Sequence, residues 1–442
     1  MRHAAAVLAL LALPALADEA SRRTPVVKAV ERDGPAVVNV STERVVVQAV
    51  RDPFFDPFFE DFFGRVSPPS RKVKTTSLGS GVIVDPDGYL VTNEHVIRKA
   101  SKIHVTLANG TALEADLIAS DRGADLALCR IRSAKPLPFV RLDAVSEPMM
   151  GETAIAIGNP FGLENSVSVG VVSAKNRSLL SQGRVAYSDL IQTDASINPG
   201  NSGGALLNVD GELIGINTAI YSDAEGIGFA IPVSRVRKAL GDMLSPRRTG
   251  KGWTGLGLDM APGPAGRARL LAASVQPGSP AEQAGIRPGD ALAAVGGQAG
   301  FFSALKTLAS LVPGQALDLG LERAGKPIAV ALRASEPPRV PDEQMARERL
   351  GLALQALTPE LAQRMELGIA RGCLVTEVLP GGPAQRAGIE AGDVIVRAVR
   401  KGVPDPAALT ALLQAAESGS EMALQVVRGN RIYDVTLALA GP

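Results

Sequence analysis

The residues of this chain that can do chemistry together are a serine, a histidine and an aspartate. Ser202 lies in Thr193-Asp-Ala-Ser-Ile-Asn-Pro-Gly-Asn-Ser-Gly-Gly-Ala-Leu206, between Gly200-Asn201 and Gly203-Gly204. A serine hydroxyl is a weak nucleophile until a base takes its proton and donors hold the oxyanion that develops. Pro199 and the glycines suit a sharp turn that projects a side chain and turns backbone N–H groups inward. The candidate oxyanion donors are the backbone groups of Gly200, Asn201 and Ser202. Taken alone, such an Asn/Ser/Gly stretch reads equally as a surface turn.

The chain holds three histidines, His3, His95 and His104. His3 falls in a segment expected to be removed. His104 alternates with Ile103, Val105 and Leu107 on a strand, so it points away from their shared face, toward solvent. His95 sits in Gly88-Tyr-Leu-Val-Thr-Asn-Glu-His-Val-Ile97, where an apolar strand runs into a polar turn that a cleft can use. Asp125 opens the apolar run Leu126–Ile131 and can be buried within reach of His95, fixing its tautomer. Asp121 belongs to the preceding polar turn.

Chain order discriminates between folds. Gly200-Asn-Ser-Gly-Gly204 also satisfies the Gly-x-Ser-x-Gly elbow of α/β-hydrolases, which requires a helix after the serine and a histidine downstream. No histidine follows Ser202, and Ala205–Ile216 reads as strand, Asp210-Gly211 turn, strand. The order His95, Asp125, Ser202 is that of chymotrypsin. Thr92-Asn-Glu-His-Val, Ala124-Asp-Leu-Ala-Leu and Asn198-Pro-Gly-Asn-Ser-Gly-Gly204 resemble the three catalytic signatures of the HtrA (Deg) serine proteases. Gly215-Ile-Asn-Thr-Ala-Ile220 and Gly226-Ile-Gly-Phe-Ala-Ile-Pro232 are similar to that family's pocket-lining loops. The resemblance implies a pocket built with Ile220, Ile227, Gly228 and Phe229, apolar enough to favour small or medium aliphatic side chains.

The elements that must position these residues are short β runs, Ala36–Val40, Arg44–Val50, Gly81–Val84 and Tyr89–Val91, divided by Gly, Pro and Asp turns. They predict a barrel domain, with a second barrel continuing through Val167–Val172 and a closing helix over Ser234–Leu240. The expected fold is mainly β: a chymotrypsin-like double barrel followed by two PDZ-like α/β modules. Between the first strands, Asp52–Gly64 carries six of the chain's 11 phenylalanines, too many for one small core, and reads as an interaction loop. Leu179–Ser188 reads as a surface loop that, by the resemblance, senses the downstream domains.

A basic start, an apolar run over Ala4–Leu16 and Ala15-Leu16-Ala17 predict a secretory signal peptide over residues 1–17. A leader over 18–26 and a protease domain over 27–243 follow. The apolar run is shorter than the roughly 20 residues that span a bilayer, and no later stretch is longer. A net charge of +1 without a basic stripe excludes a nucleic-acid footprint. Cys129 and Cys373 lie in separate domains and read as buried free thiols, and the scattered His and Cys give no metal-ligand spacing.

Beyond the linker Ser245–Gly252 the sequence repeats. Val275–Asp290 matches Val378–Asp393 at ten of 16 positions, the mark of a duplicated domain. The expected modules are residues 252–334 and 345–440. Ahead of the repeats stand Gly255-Leu256-Gly257-Leu258 and Gly351-Leu352-Ala353-Leu354, which resemble the carboxylate-binding loops of PDZ domains. The second has alanine where the first has its second glycine.

The resemblance implies an ATP-independent, cofactor-free periplasmic endopeptidase. It would act on unfolded or damaged envelope proteins, bind exposed C-terminal peptides and assemble from homotrimers. The rival expectation is a chaperone or peptide-binding scaffold with secondary or latent proteolysis.

Overall fold

The computed structural model describes residues 22–49, 70–98, 100–144, 147–160, 165–181, 184–220, 226–263, 268–297, 300–338, 341–416 and 420–440. The signal segment, the Asp52–Gly64 phenylalanines and residues 182–183 lie outside these residues; on either side of 182–183 the expected Leu179–Ser188 loop is paired strand instead.

Two closed barrels come first. One is built from β1 (Val37–Ala49), β2 (Ser70–Ile83), β3 (Tyr89–Thr92), β4 (Lys102–Thr106), β5 (Ala112–Asp121) and β6 (Leu126–Ile131), in the order β1-β2-β3-β6-β5-β4. The other uses β7 (Thr153–Gly158), β8 (Ser166–Ser181), β9 (Arg184–Thr193), β10 (Ala205–Leu207), β11 (Leu213–Ile220) and β12 (Gly228–Pro232), in the order β10-β11-β12-β9-β8-β7. Alternation sets the inner face where one side meets solvent: in β4, Ile103 and Val105 are buried and His104 between them is not. β6 breaks that period and buries Leu126 to Cys129 continuously. Its second face is covered by the helix Val233–Met243, so both sides are apolar. This helix runs beyond the expected Ser234–Leu240 at both ends. It buries Val233, Val236, Ala239, Leu240 and Met243 against both barrels.

The expected linker is partly helical. Pro246–Thr249 forms one turn that ends at left-handed Gly250, and Arg248 ties it to the Ser120 carbonyl at 3.0 Å. A five-stranded sheet follows, in sequence order: β13 (Leu256–Pro262), β14 (Ala268–Val275), β15 (Ala291–Val295), β16 (Ala316–Arg323) and β17 (Lys326–Arg333). The helix Phe301–Ser310 lies against it. A second sheet has the order β18-β19-β20-β22-β23: β18 (Leu352–Ala356), β19 (Cys373–Val378), β20 (Val394–Ala398), β22 (Glu421–Arg428) and β23 (Arg431–Ala438). The short β21 (Lys401–Gly402) pairs with β20. Its core takes Met345 and Leu350 from the helix Asp342–Leu350.

Cys129 and Cys373 are free and buried. Burial pushes each thiol up to about 12, which leaves both as protonated core residues.

Candidate active site

β3 delivers the chain into the short helix Glu94–Ile97, which carries His95 on the barrel rim. The turn before β6 delivers Asp125 opposite it. Asp125 is 1% exposed and holds φ at +55°, a left-handed conformation rare outside glycine. Hydrogen bonds to its side chain and its backbone hold it there. Its carboxylate accepts from the His95 ring Nδ1 at 2.8 Å, from the His95 backbone N–H at 3.1 Å and from the Thr218 hydroxyl at 2.8 Å. Its own carbonyl accepts from the Asn93 amide at 3.0 Å. A buried carboxylate with donors on several sides fixes which imidazole nitrogen carries the proton, leaving Nε2 able to accept one.

Ser202 comes from the other barrel, on the turn that precedes β10. The turn is closed by the Asn201 N–H donating to the Asn198 carbonyl at 2.9 Å, with Gly200 at φ +99°. That bond removes Asn201 from the expected set of oxyanion donors. Gly203 and Gly204 donate to the Asn217 and Asn201 carbonyls. Among the described residues no acceptor takes the N–H of Gly200 or of Ser202. The glycines are required by space: a Cβ on Gly203 would stand 2.1 Å from the Ser80 carbonyl, and one on Gly204 would stand 2.2 Å from that of Ile157. The Ser202 hydroxyl has one proton to give, and it donates to the Thr218 carbonyl at 2.7 Å.

Thr218 thus touches both the aspartate and the serine, yet nothing in the sequence singled it out. Its signal was its place in Gly215–Ile220, read only as pocket lining. Ile220 pairs through its backbone with Gly228. Gly228 is pressed against Ile197, whose Cδ1 would lie 2.8 Å from an added Cβ; Ile197 is a second residue the sequence reading missed. Phe229 is buried in the core and Ile227 is partly buried beside it. His104 lies 3.7 Å from Glu43, and Asp121 accepts from the Ala124 N–H at 3.0 Å. Neither joins the His95–Asp125 pair.

The two downstream loops both begin on a left-handed glycine, Gly255 at +70° and Gly351 at +74°. Leu256, Gly257 and Leu258 start the edge strand β13, and Leu352, Ala353 and Leu354 start the edge strand β18. Beside the first loop is a cavity of 340 Å³ between β13 and the helix Phe301–Ser310, walled by Leu256, Leu258, Leu305 and Leu308. Arg237 of the Val233–Met243 helix spans one end. Its Nε donates to Asp259 on the strand at 2.7 Å, and its guanidinium lies 5.9 Å from the Phe301 ring on the helix.

Two barrels with a histidine–aspartate pair facing a serine turn, followed by two edge-strand modules, define a trypsin-like serine peptidase with PDZ domains. Comparison with known proteins agrees. Residues 79–216 match the trypsin-like peptidase domain, and residues 271–312 and 349–439 match PDZ domains. A probable periplasmic serine endoprotease DegP-like of Chlamydia muridarum is 40% identical, over 81% of this chain and 74% of that protein. Another of the same description, from Hahella chejuensis, is 36% identical over 92% of each chain. The chain belongs to the DegP-like (HtrA) family of serine endoproteases.

Proposed function

We propose that this endopeptidase cuts peptide bonds with Ser202 as nucleophile, His95 as general base and Asp125 as the group that orients His95. The observation that carries the reading is the buried Asp125 at 2.8 Å from His95 Nδ1, facing a serine turn whose Gly200 and Ser202 N–H groups find no acceptor among the described residues. The Ser202 hydroxyl leaves the Thr218 carbonyl and gives its proton to His95 Nε2 as Oγ bonds to the scissile carbonyl carbon. The carbonyl oxygen becomes an oxyanion held by the Gly200 and Ser202 N–H groups. His95 then protonates the leaving amine, the acyl-enzyme forms, and a water activated by the same imidazole releases the acid. The side chain before the cut bond enters a pocket formed by Ile220, Ile227, Gly228 and Phe229, with Ile197 behind it.

The substrates that suit this enzyme are unfolded or damaged envelope proteins, with residues 1–17 as the export signal and the periplasm as its place. The relatives are named as periplasmic, and no helix among the described residues is long and apolar enough to cross a membrane. The loops at Gly255–Leu258 and Gly351–Leu354 receive C-terminal carboxylates while the peptide adds to β13 or β18. Assembly from homotrimers and a protease domain over 27–243 complete the reading. The bond from Ser202 to Thr218 favours a second element: a resting enzyme whose serine turns to His95 only when a peptide engages.

The test is casein cleavage by the protein and by Ser202→Ala, without ATP and with a chelator present. Cleavage lost only in the variant supports the reading. Equal cleavage by both removes Ser202 from the mechanism.

A further inference from the structure

Ser80 is wholly buried in β2 of the first barrel, and its hydroxyl and backbone N–H are engaged across the barrel boundary. Its hydroxyl accepts the Asn159 N–H at 2.8 Å and donates to the Gly200 carbonyl at 2.6 Å. Its backbone N–H donates to the Ser202 carbonyl at 2.8 Å. Its carbonyl accepts from the Thr92 hydroxyl at 2.7 Å, three residues before His95. Along the serine turn, the two carbonyls that Ser80 holds alternate with the two N–H groups that find no acceptor among the described residues, those of Gly200 and Ser202.

We propose that Ser80 is a positioning residue for the oxyanion site: its hydroxyl pins the Gly200–Asn201 peptide, so that the Gly200 and Ser202 N–H groups converge on one point. The inference rests on the Ser202 reading given above. A glycine in the left-handed region has wide backbone freedom, and the Asn198–Asn201 bond fixes only the ends of its turn. The Gly200 carbonyl is where that freedom is removed, and a first-barrel side chain removes it. The same residue holds Thr92, so the strand that leads into His95's helix and the turn carrying Ser202 are set relative to each other through one side chain and its backbone. Oxyanion donors act through placement, since they must meet the charge at about 2.7–3.1 Å as it forms. Loss of the pin therefore weakens transition-state binding and spares substrate binding.

The experiment compares Ser80→Ala and Ser80→Cys with the unaltered full chain, using a chromogenic peptide amide and a peptide boronate. The boronate forms a tetrahedral adduct on the serine and reads the oxyanion site directly. Removing a whole oxyanion donor costs on the order of 10²–10³ in turnover. Displacing donors should cost about tenfold to a hundredfold in kcat, with KM within about twofold. Boronate affinity should fall by the same factor as kcat/KM. Cysteine keeps the volume and a weak donor, and should fall between serine and alanine. Melting curves of both variants register lost packing separately. If Ser80→Ala does not fold, Ser80→Cys carries the test alone. An unchanged kcat, a rise in KM alone, or lowered kcat with unchanged boronate affinity overturns the proposal. If Ser202→Ala cleaves as well as the parent, it is the Ser202 reading that has failed; if only Ser80→Ala matches the parent, this inference alone has failed.

Discussion

The two PDZ modules share an internal lock but differ in where they are anchored. In each, the aspartate that ends the repeated segment is buried and caps the turn before it. Asp290 accepts the Arg287 N–H at 2.8 Å, and Asp393 accepts the Glu390 N–H at 2.9 Å. Each also takes a two-pronged arginine, Arg323 at 2.7 Å or Arg428 at 2.7 and 2.9 Å. The same arginines donate to the Gly285 and Gly388 carbonyls. The anchoring differs because the helices beside the edge strands differ. The first module presents Phe302 and Lys306 to the first barrel and Phe301 to Arg237 of the Val233–Met243 helix. Phe302 lies 5.2 Å from Tyr89, and Lys306 bonds to both Asp85 and Asp87 at 2.7 Å. Its apolar interior is continuous with that of the protease. Counted from the first residue of the helix Pro406–Ala415, the second module has Pro406, Ala407 and Ala411 at those positions, and it keeps a core of its own. Duplication preserved what folds a module, and residues outside the repeat decided what it docks on.

The largest test of this contrast is a pair of core truncations. Phe301 is 1% exposed, and Phe301→Ala should cost about 3–5 kcal/mol. In calorimetry it should lower a transition that the protease and first PDZ module share. Leu409→Ala, at a site 0% exposed, should cost about 2–5 kcal/mol in the second module's transition alone and leave casein cleavage intact. Equal lowering of the protease transition by both variants would break the comparison. Next comes Lys306→Met, which strands the 1%-exposed Asp85 carboxylate. Lys306 is itself a quarter exposed, so the loss should be about 2 kcal/mol, less than for a fully buried pair. The matching Ala411→Lys should stay within about 0.5 kcal/mol.

A smaller effect follows from pH. The Arg323 guanidinium holds the Asp290 carboxyl below its ordinary range, helped by the Arg287 N–H. A carboxylate lowered on folding adds stability above its unfolded value, about 3.9, and that contribution fades as pH falls through the lower folded value. The transition that the first module shares with the protease should therefore weaken with acid below about pH 4, and Asp290→Asn should flatten that dependence while lowering stability at pH 7.

Much of this was legible in the sequence. His95, Asp125 and Ser202 could be singled out as candidates because few histidines compete and because chain order selects between two serine folds. The repeat announced itself by identity. The legible features share a local pattern: a motif, an alternation, a duplicated run. Thr218, Ile197 and Ser80 were not legible, because their importance comes from contacts with residues up to 120 positions away. Asn201 was misassigned as a donor because sequence shows that an N–H exists, and only geometry shows that Asn198 already uses it. The docking of the first module was equally hidden: Lys306 and Asp85 are 221 positions apart.

The smallest expected effect concerns the carboxylate loops themselves. Gly257 faces Ser274 across β13 and β14, while Ala353 faces Glu377 across β18 and β19. A Cβ on Gly257 would stand 2.3 Å from the Ser274 hydroxyl oxygen, so Gly257→Ala must turn that side chain aside and disturb the loop where a peptide carboxylate would sit. Ala353 already lives with its Cβ, buried at 6% exposure. Ala353→Gly should cost about 0.5–1 kcal/mol of second-module stability through backbone freedom, seen as a melting shift of a few degrees. Titration of both single variants with a peptide ending in a free carboxylate separates the loops. Weaker binding in Gly257→Ala with tighter binding in Ala353→Gly would show that one methyl group distinguishes the two modules as receptors. Weaker binding in Gly257→Ala with none in either form of the second module would place the difference in the groove beyond the loop.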